Sequence, residues 1–192
     1  MKICLFGGTF DPPHIGHLLI AQTVFEAENF DKVLFIPANQ TRNKIVITPQ
    51  MNRVEMLKLA IKDNPNFEIS ELEIERGGIS FTIETIKKIK SDLLSDKDEL
   101  FFLIGSDSLL DFKNWKNPEG ILKECQVVVA IRPGFRPSDI PAWILHNIHF
   151  ANIPRFEISS TNIRKRWVKD KTIRYMVTQP VWEYINKFNL YS

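Results

Sequence analysis

The chain has 192 residues, 44% apolar and 25% charged, with a net charge of +2. That balance predicts one domain over residues 1–192, long enough for a full core, and lacks the basic field that a nucleic-acid polymer would require. The longest apolar runs are about five residues, far below the roughly 20 of a membrane span. The first residues follow a strand pattern, not a charged-then-apolar leader. Cys4 and Cys125 sit in apolar surroundings outside any Cys-x-x-Cys pair. The expectation is a cytoplasmic protein with buried, reduced thiols.

In chain order, residues 3–6 read as a buried strand that ends on Gly7-Gly8. Leu18, Leu19, Ile20, Ala21, Val24 and Phe25 mark one side of a helix. Residues 33–36 predict a second strand, followed by a loop over 38–48. Met51, Val54, Leu57 and Ile61 have helical spacing. A strand is predicted over 67–74, a helix over 82–94, a strand over 100–104 and a helix over 108–112. Another strand is expected at 127–131, a surface loop at 133–146, a late strand at 147–151, and helices near 161–169 and 180–189. Strands alternating with helices predict an α/β fold: a doubly wound, Rossmann-like parallel sheet with helices on both faces.

Chemistry concentrates at residues 7–17, Gly-Gly-Thr-Phe-Asp-Pro-Pro-His-Ile-Gly-His. A strand, a glycine turn and a helix start form a phosphate cradle, because free backbone N–H groups and the helix dipole favour an anion there. Pro12-Pro13 delays the helix, which puts His14 and His17 in its first turn. Three residues apart, they share one face and can reach one anion. Half of a metal site has the same spacing, but no third Cys or His lies nearby. A second anion element is Ile158-Ser159-Ser160-Thr161-Asn162-Ile163-Arg164. Read alone, it is a capped helix with a surface arginine. Read with the first motif, it is a second phosphate clasp.

These two stretches resemble the signatures of the nucleotidyltransferase superfamily that carries His-x-Gly-His. Within it, the Gly-Gly-Thr-Phe-Asp-Pro form is most similar to bacterial nicotinate-nucleotide adenylyltransferases. The resemblance implies transfer of AMP from ATP to nicotinate mononucleotide, giving nicotinate adenine dinucleotide and pyrophosphate, with Mg²⁺ brought by ATP and no metal-ligating side chains. Nicotinamide mononucleotide as acceptor, or a non-catalytic nucleotide-binding module, are the alternatives. Homo-oligomerisation stays open.

The same resemblance implies the site residues. His14, His17, Lys44 and Arg164 take the catalytic roles. ATP meets Gly7, Gly8, Thr9 and Phe10, then Gly105 and Asp107 after the strand at 100–104, Arg132 of Ala130-Ile131-Arg132-Pro133-Gly134, and Ser159 and Ser160 beside Arg164. The acceptor meets Lys44, Thr82 and Thr85 of Ser80-Phe81-Thr82-Ile83-Glu84-Thr85, and Trp115. The family's Pro-Pro-His-Lys loop reads Gln40-Thr41-Arg42-Asn43-Lys44 here, and Arg42 is a candidate replacement donor for the missing imidazole. Arg53 and Glu55 are expected to pair on a helix face. Unassisted by the resemblance, Trp115 reads as core and Asp107 as a helix N-cap.

Overall fold

Each apolar run becomes a strand because its branched and aromatic side chains can fill both faces of a covered sheet. The computed structural model describes residues 1–42, 46, 48–95, 97–131, 134–154 and 157–191. Strand β1 (Lys2–Gly8) leads into α1 (Ile15–Ala27), then β2 (Lys32–Pro37), α2 (Gln50–Ile61) and β3 (Phe67–Ile69). Helices α3 (Leu72–Arg76) and α4 (Thr82–Leu93) precede β4 (Glu99–Gly105) and α5 (Ser106–Asp111). Helix α6 (Pro118–Glu124), β5 (Gln126–Ala130), α7 (Ala142–Leu145), β6 (Ile148–Ala151), α8 (Ser160–Trp167) and α9 (Gln179–Lys187) follow.

The strands form one sheet in the order β3-β2-β1-β4-β5-β6, every pair parallel. The chain winds outward from β1 in one direction and from β4 in the other. This is the doubly wound α/β fold that the alternation predicts, and its switch point lies between β1 and β4. A ligand crevice forms there because the connections leaving the two strands part to opposite sides.

Alternation along each strand sorts the core into two layers. Cys4, Phe6, Phe35 and Leu103 face Ile20, Val24 and Leu57 of α1 and α2. Leu5, Ile36, Phe102 and Ile104 face Ile83, Ile86, Leu109 and Ile121 of α4, α5 and α6. A third cluster joins α2 to α8 and α9 through Met56, Ile163, Val181 and Ile185. Each such side chain contributes about 1.5–3 kcal/mol by leaving water. Cys4 and Cys125 are free and buried. No helix among the described residues is long and apolar enough to cross a membrane.

Four local expectations need correction. The strand predicted over 67–74 stops at Ile69, and Leu72–Arg76 is helical. Leu72 and Ile74 alternate like a strand, but a five-residue helix is too short to display its own period. The 133–146 stretch is not a plain surface loop: it contains α7, and Ile140 and Ile144 are buried in the core. Met51 is 63% exposed, so the buried face of α2 runs instead through Val54, Met56, Leu57 and Ile61. Helix α5 begins at Ser106 with Gly105 as its N-cap, so Asp107 lies inside the first turn and is not the cap.

Candidate active site

The turn from β1 to α1 is shaped by an inward-facing aromatic ring. Phe10 is 1% exposed and has φ of 49°, a left-handed conformation that a bulky residue rarely adopts. Its ring meets Phe6 edge-on at 5.8 Å and His17 at 5.1 Å between centroids. A Cβ on Gly8 would lie 3.0 Å from that ring. A side chain at Gly8 would crowd the Phe10 ring, while Gly7 is exposed near the end of β1. Phe10 can offer a ligand only its backbone, since its side chain is enclosed.

Beyond this turn, His14 is the N-cap of α1, with extended φ and ψ of −140° and 166°, and His17 is the third residue of the helix. The rings stack, with centroids 3.6 Å apart and planes 25° from parallel. The backbone N–H of His14 donates to Nδ1 of His17 at 3.1 Å. With Nδ1 accepting, a neutral His17 carries its proton on Nε2 as a second donor. The helix start adds positive dipole, the N–H of Ile15 is taken by the Met176 carbonyl at 2.9 Å, and no acidic side chain occupies the first turn.

The second motif closes on the same turn. Ser159 is the N-cap of α8 and accepts from the N–H of Asn162 at 3.2 Å. The hydroxyl of Ser160 donates to the carbonyl of Pro12 at 2.9 Å. Arg164 donates from Nη1 to the Asp11 carbonyl at 2.5 Å and lies 3.9 Å from its carboxylate. Two helix N-termini separated by about 145 residues of chain thus meet across the Asp11–Pro12 backbone.

Arg53 supports the turn from beneath. It is 1% exposed and donates to three carbonyls: Nη1 to Thr9 at 2.8 Å, Nη2 to Asn39 at 3.3 Å and Nε to Thr48 at 3.3 Å. Burial lowers its pKa, while Asp11 acts in the opposite direction. The expected pairing of Arg53 with Glu55 is therefore replaced by a buried brace. A guanidinium suits that role because its planar fork satisfies several acceptors at once.

Alongside the carboxyl ends of β1 and β2 lies a cavity of about 330 Å³. Gly7, Gly8, Thr9, Thr82, Thr85 and Trp115 line it, together with Asp107 and Arg42. Trp115 is half-buried, 5.2 Å from the Phe112 ring and 6.1 Å from Phe102, so it is both a core residue and a cavity wall. Thr85 donates to the buried carboxylate of Glu73 at 2.6 Å. Lys116 sits 4.3 Å from the Phe81 ring and bonds Glu84, whose carboxyl it holds below the usual range.

The structure thus gathers the expected residues into two adjoining groups. Gly7, Gly8, Thr9, Asp107, Thr82, Thr85 and Trp115 line the cavity; His14, His17, Ser160 and Arg164 surround the turn beside it, with Ser159 capping α8 and Gly105 capping α5. Lys44 and Arg132 lie outside the described residues. Sequence reasoning missed Arg53 as a brace and Asn39, which receives Gln50, donates to Gly78 and offers its N–H to Ser80. Neither carried a local signal, since the partners of both lie far along the chain.

The profile of the cytidylyltransferase-like family matches residues 5–166. A protein of Exiguobacterium sibiricum named probable nicotinate-nucleotide adenylyltransferase is 41% identical, and the match covers all of both chains. One of Bacillus subtilis named nicotinate-nucleotide adenylyltransferase is 39% identical over all of this chain and 98% of its own. Among solved structures, a Plasmodium falciparum nicotinic acid mononucleotide adenylyltransferase complexed with NaAD superposes with a TM-score of 0.83. Its identity is 24%, and the match covers 99% of this chain and 97% of that one. At that identity the likeness establishes the shared fold.

Proposed function

The chain belongs to the cytidylyltransferase-like family, and we infer from its full-length relatives that it adenylylates nicotinate mononucleotide with ATP, forming nicotinate adenine dinucleotide. Residues 1–192 would then act as one nucleotidyltransferase domain on two small nucleotides, in the cytoplasm. A phosphate oxygen of the acceptor attacks the ATP α-phosphorus in line. The new P–O bond forms as the bond to the bridging oxygen breaks, and that electron pair leaves with pyrophosphate. The attacking oxygen is already ionised, so no side-chain nucleophile is required. Catalysis is then positioning and stabilisation of charge.

The observation that carries this reading is the junction of two anion-binding helix starts over the Asp11–Pro12 backbone, beside the cavity. In it, His14 and His17 face the α-phosphate and bridging oxygen. Ser159, Ser160 and Arg164 hold the leaving pyrophosphate, and Gly7, Gly8 and the Thr9 and Phe10 backbone border the triphosphate. Asp107, beside Gly105, meets ribose hydroxyls at the end of β4, and Arg132 serves the adenine side. Thr82, Thr85 and Trp115 form the acceptor pocket, with Lys44 on the acceptor phosphate.

Among the described residues no three His, Cys, Asp or Glu converge as a metal-ligand set. The donors here are N–H and O–H groups that suit phosphate oxygens. Mg²⁺ would arrive with ATP and would neutralise charge on the triphosphate.

The test is pyrophosphate release from ATP across a panel of acceptors. Nicotinate mononucleotide is expected to exceed nicotinamide mononucleotide by at least about tenfold in kcat/KM. An acid pocket aims donors at the carboxylate, and the amide NH₂ would leave them unpaired at roughly 1–3 kcal/mol each. Equal values would overturn the acceptor assignment, and no release with any mononucleotide would overturn the activity.

A further inference from the structure

Asp11 lies in the turn on which the two helix starts meet. It is 4% exposed, and its carboxylate has a second partner besides Arg164. The hydroxyl of Tyr191, in the turn after α9, donates to Oδ1 of Asp11 at 2.8 Å, across 180 positions of sequence. Arg164 lies 3.9 Å from the other carboxylate oxygen, Oδ2, and donates to the Asp11 carbonyl. The carboxylate therefore bridges a phenol and a guanidinium.

The geometry around Tyr191 is built for this aim. Its φ is 69° and that of Asn189 is 48°, so the turn adopts two left-handed residues, neither of them glycine. Such conformations persist where the surroundings over-determine them. The hydroxyl lies 3.9 Å from the Met56 sulfur, and Thr48 and Arg53 complete the polar surroundings. Burial and the Asp11 charge raise the phenol's pKa, so it remains a donor throughout the working range.

We propose that Tyr191 is a positioning residue for the distal phosphates of ATP: it fixes the Asp11 carboxylate, and Asp11 in turn sets Arg164. The proposal rests on the adenylyl-transfer reading above. Nη1 of Arg164 points inward to Asp11, and its other N–H groups remain for a phosphate. Without the phenol, the carboxylate is free to rotate away from the guanidinium 3.9 Å from it, and Arg164 keeps only its bond to the Asp11 carbonyl.

The experiment compares steady-state kinetics of wild type, Tyr191→Phe, Arg164→Ala and the double variant. Tyr184→Phe serves as control, because Tyr184 accepts from Asn52 at the same α2–α9 interface without touching Asp11. Tyr191→Phe is expected to raise the KM for ATP about tenfold, as for a hydrogen bond to a charged group, with the acceptor KM nearly unchanged. In the Arg164→Ala background the same substitution should add nothing, since it acts through Arg164. The control should match wild type. An unchanged ATP KM in Tyr191→Phe, an equal shift in the control, or additive effects in the double variant would each overturn the proposal. So would loss of the folded state in Tyr191→Phe, which would give the hydroxyl to the fold. A wild type that releases no pyrophosphate would instead sink the underlying activity.

Discussion

The rings of His14 and His17 stack 3.6 Å apart at the start of α1, tied by the His14 N–H donating to Nδ1 of His17. One hydrogen bond thus caps the helix and directs Nε2 of His17 outward. Nδ1 is thus engaged in capping, and the proposed role in transfer falls to the other side of the ring, so substitutions can separate the two.

His17→Ala is expected to lower kcat by about 100- to 1,000-fold, the cost of roughly 2.7–4 kcal/mol for one lost preorganised donor. Its far-UV circular dichroism should match wild type. His17→Asn keeps an acceptor near the helix start and should recover thermal stability without recovering turnover. Near-normal kcat in folded His17→Ala would remove the histidine from the chemistry.

Replacing Arg53 should mainly damage the fold. Arg53→Met leaves the carbonyls of Thr9, Asn39 and Thr48 without their donor. Unpaired buried groups cost about 1–3 kcal/mol each, so urea unfolding should show a loss of at least roughly 3 kcal/mol. Arg53→Lys should rescue little, because an ammonium cannot span three separated acceptors. A stability within about 1 kcal/mol of wild type would show that the brace is dispensable.

Arg42 lines the cavity together with Thr41, Ser80 and Trp115. Arg42→Ala should raise the KM for nicotinate mononucleotide about tenfold, in line with loss of a charge-assisted contact, and leave the KM for ATP unchanged. The comparison is two substrate titrations on one variant. A shift confined to ATP would place Arg42 on the donor side instead.

The two thiols carry a pH signature. Burial raises the pKa of Cys125 from 9.0 to about 12, and that of Cys4 further still. In the native state both remain protonated at pH 8, so iodoacetamide should label neither until denaturant is added. Above pH 9 the unfolded chain releases these protons and the native chain keeps them, so stability falls as pH rises. Each thiol contributes a slope of about 1.4 kcal/mol per pH unit in that window, complete for Cys125 near pH 12. Cys125→Ala should flatten its share of the decline in urea midpoints between pH 9 and 10.5, and an identical decline would rule out the thiol.

Much of the molecule is legible in the chain itself, and the legible part is local. Residues 3–17 declare strand, glycine turn and histidine-led helix because alternation, proline φ and cap chemistry act over a few positions. Ser159-Ser160-Thr161 declares the start of α8 for the same reason. Alternating apolar runs and helical stripes are enough for a doubly wound sheet. What only the tertiary structure decides is where long polar side chains go. Arg53 looks like a helix-surface charge until its partners appear 5, 14 and 44 positions away. Thr85 is claimed by Glu73 only because α3 is a helix where local pattern reads strand. Tyr191 meets Asp11 only once α9 has packed on α2. Backbone preference is a short-range property that neighbouring residues can encode, whereas a buried polar group takes whichever partner the packed core presents, since leaving it unpaired costs more than the preference of any local segment.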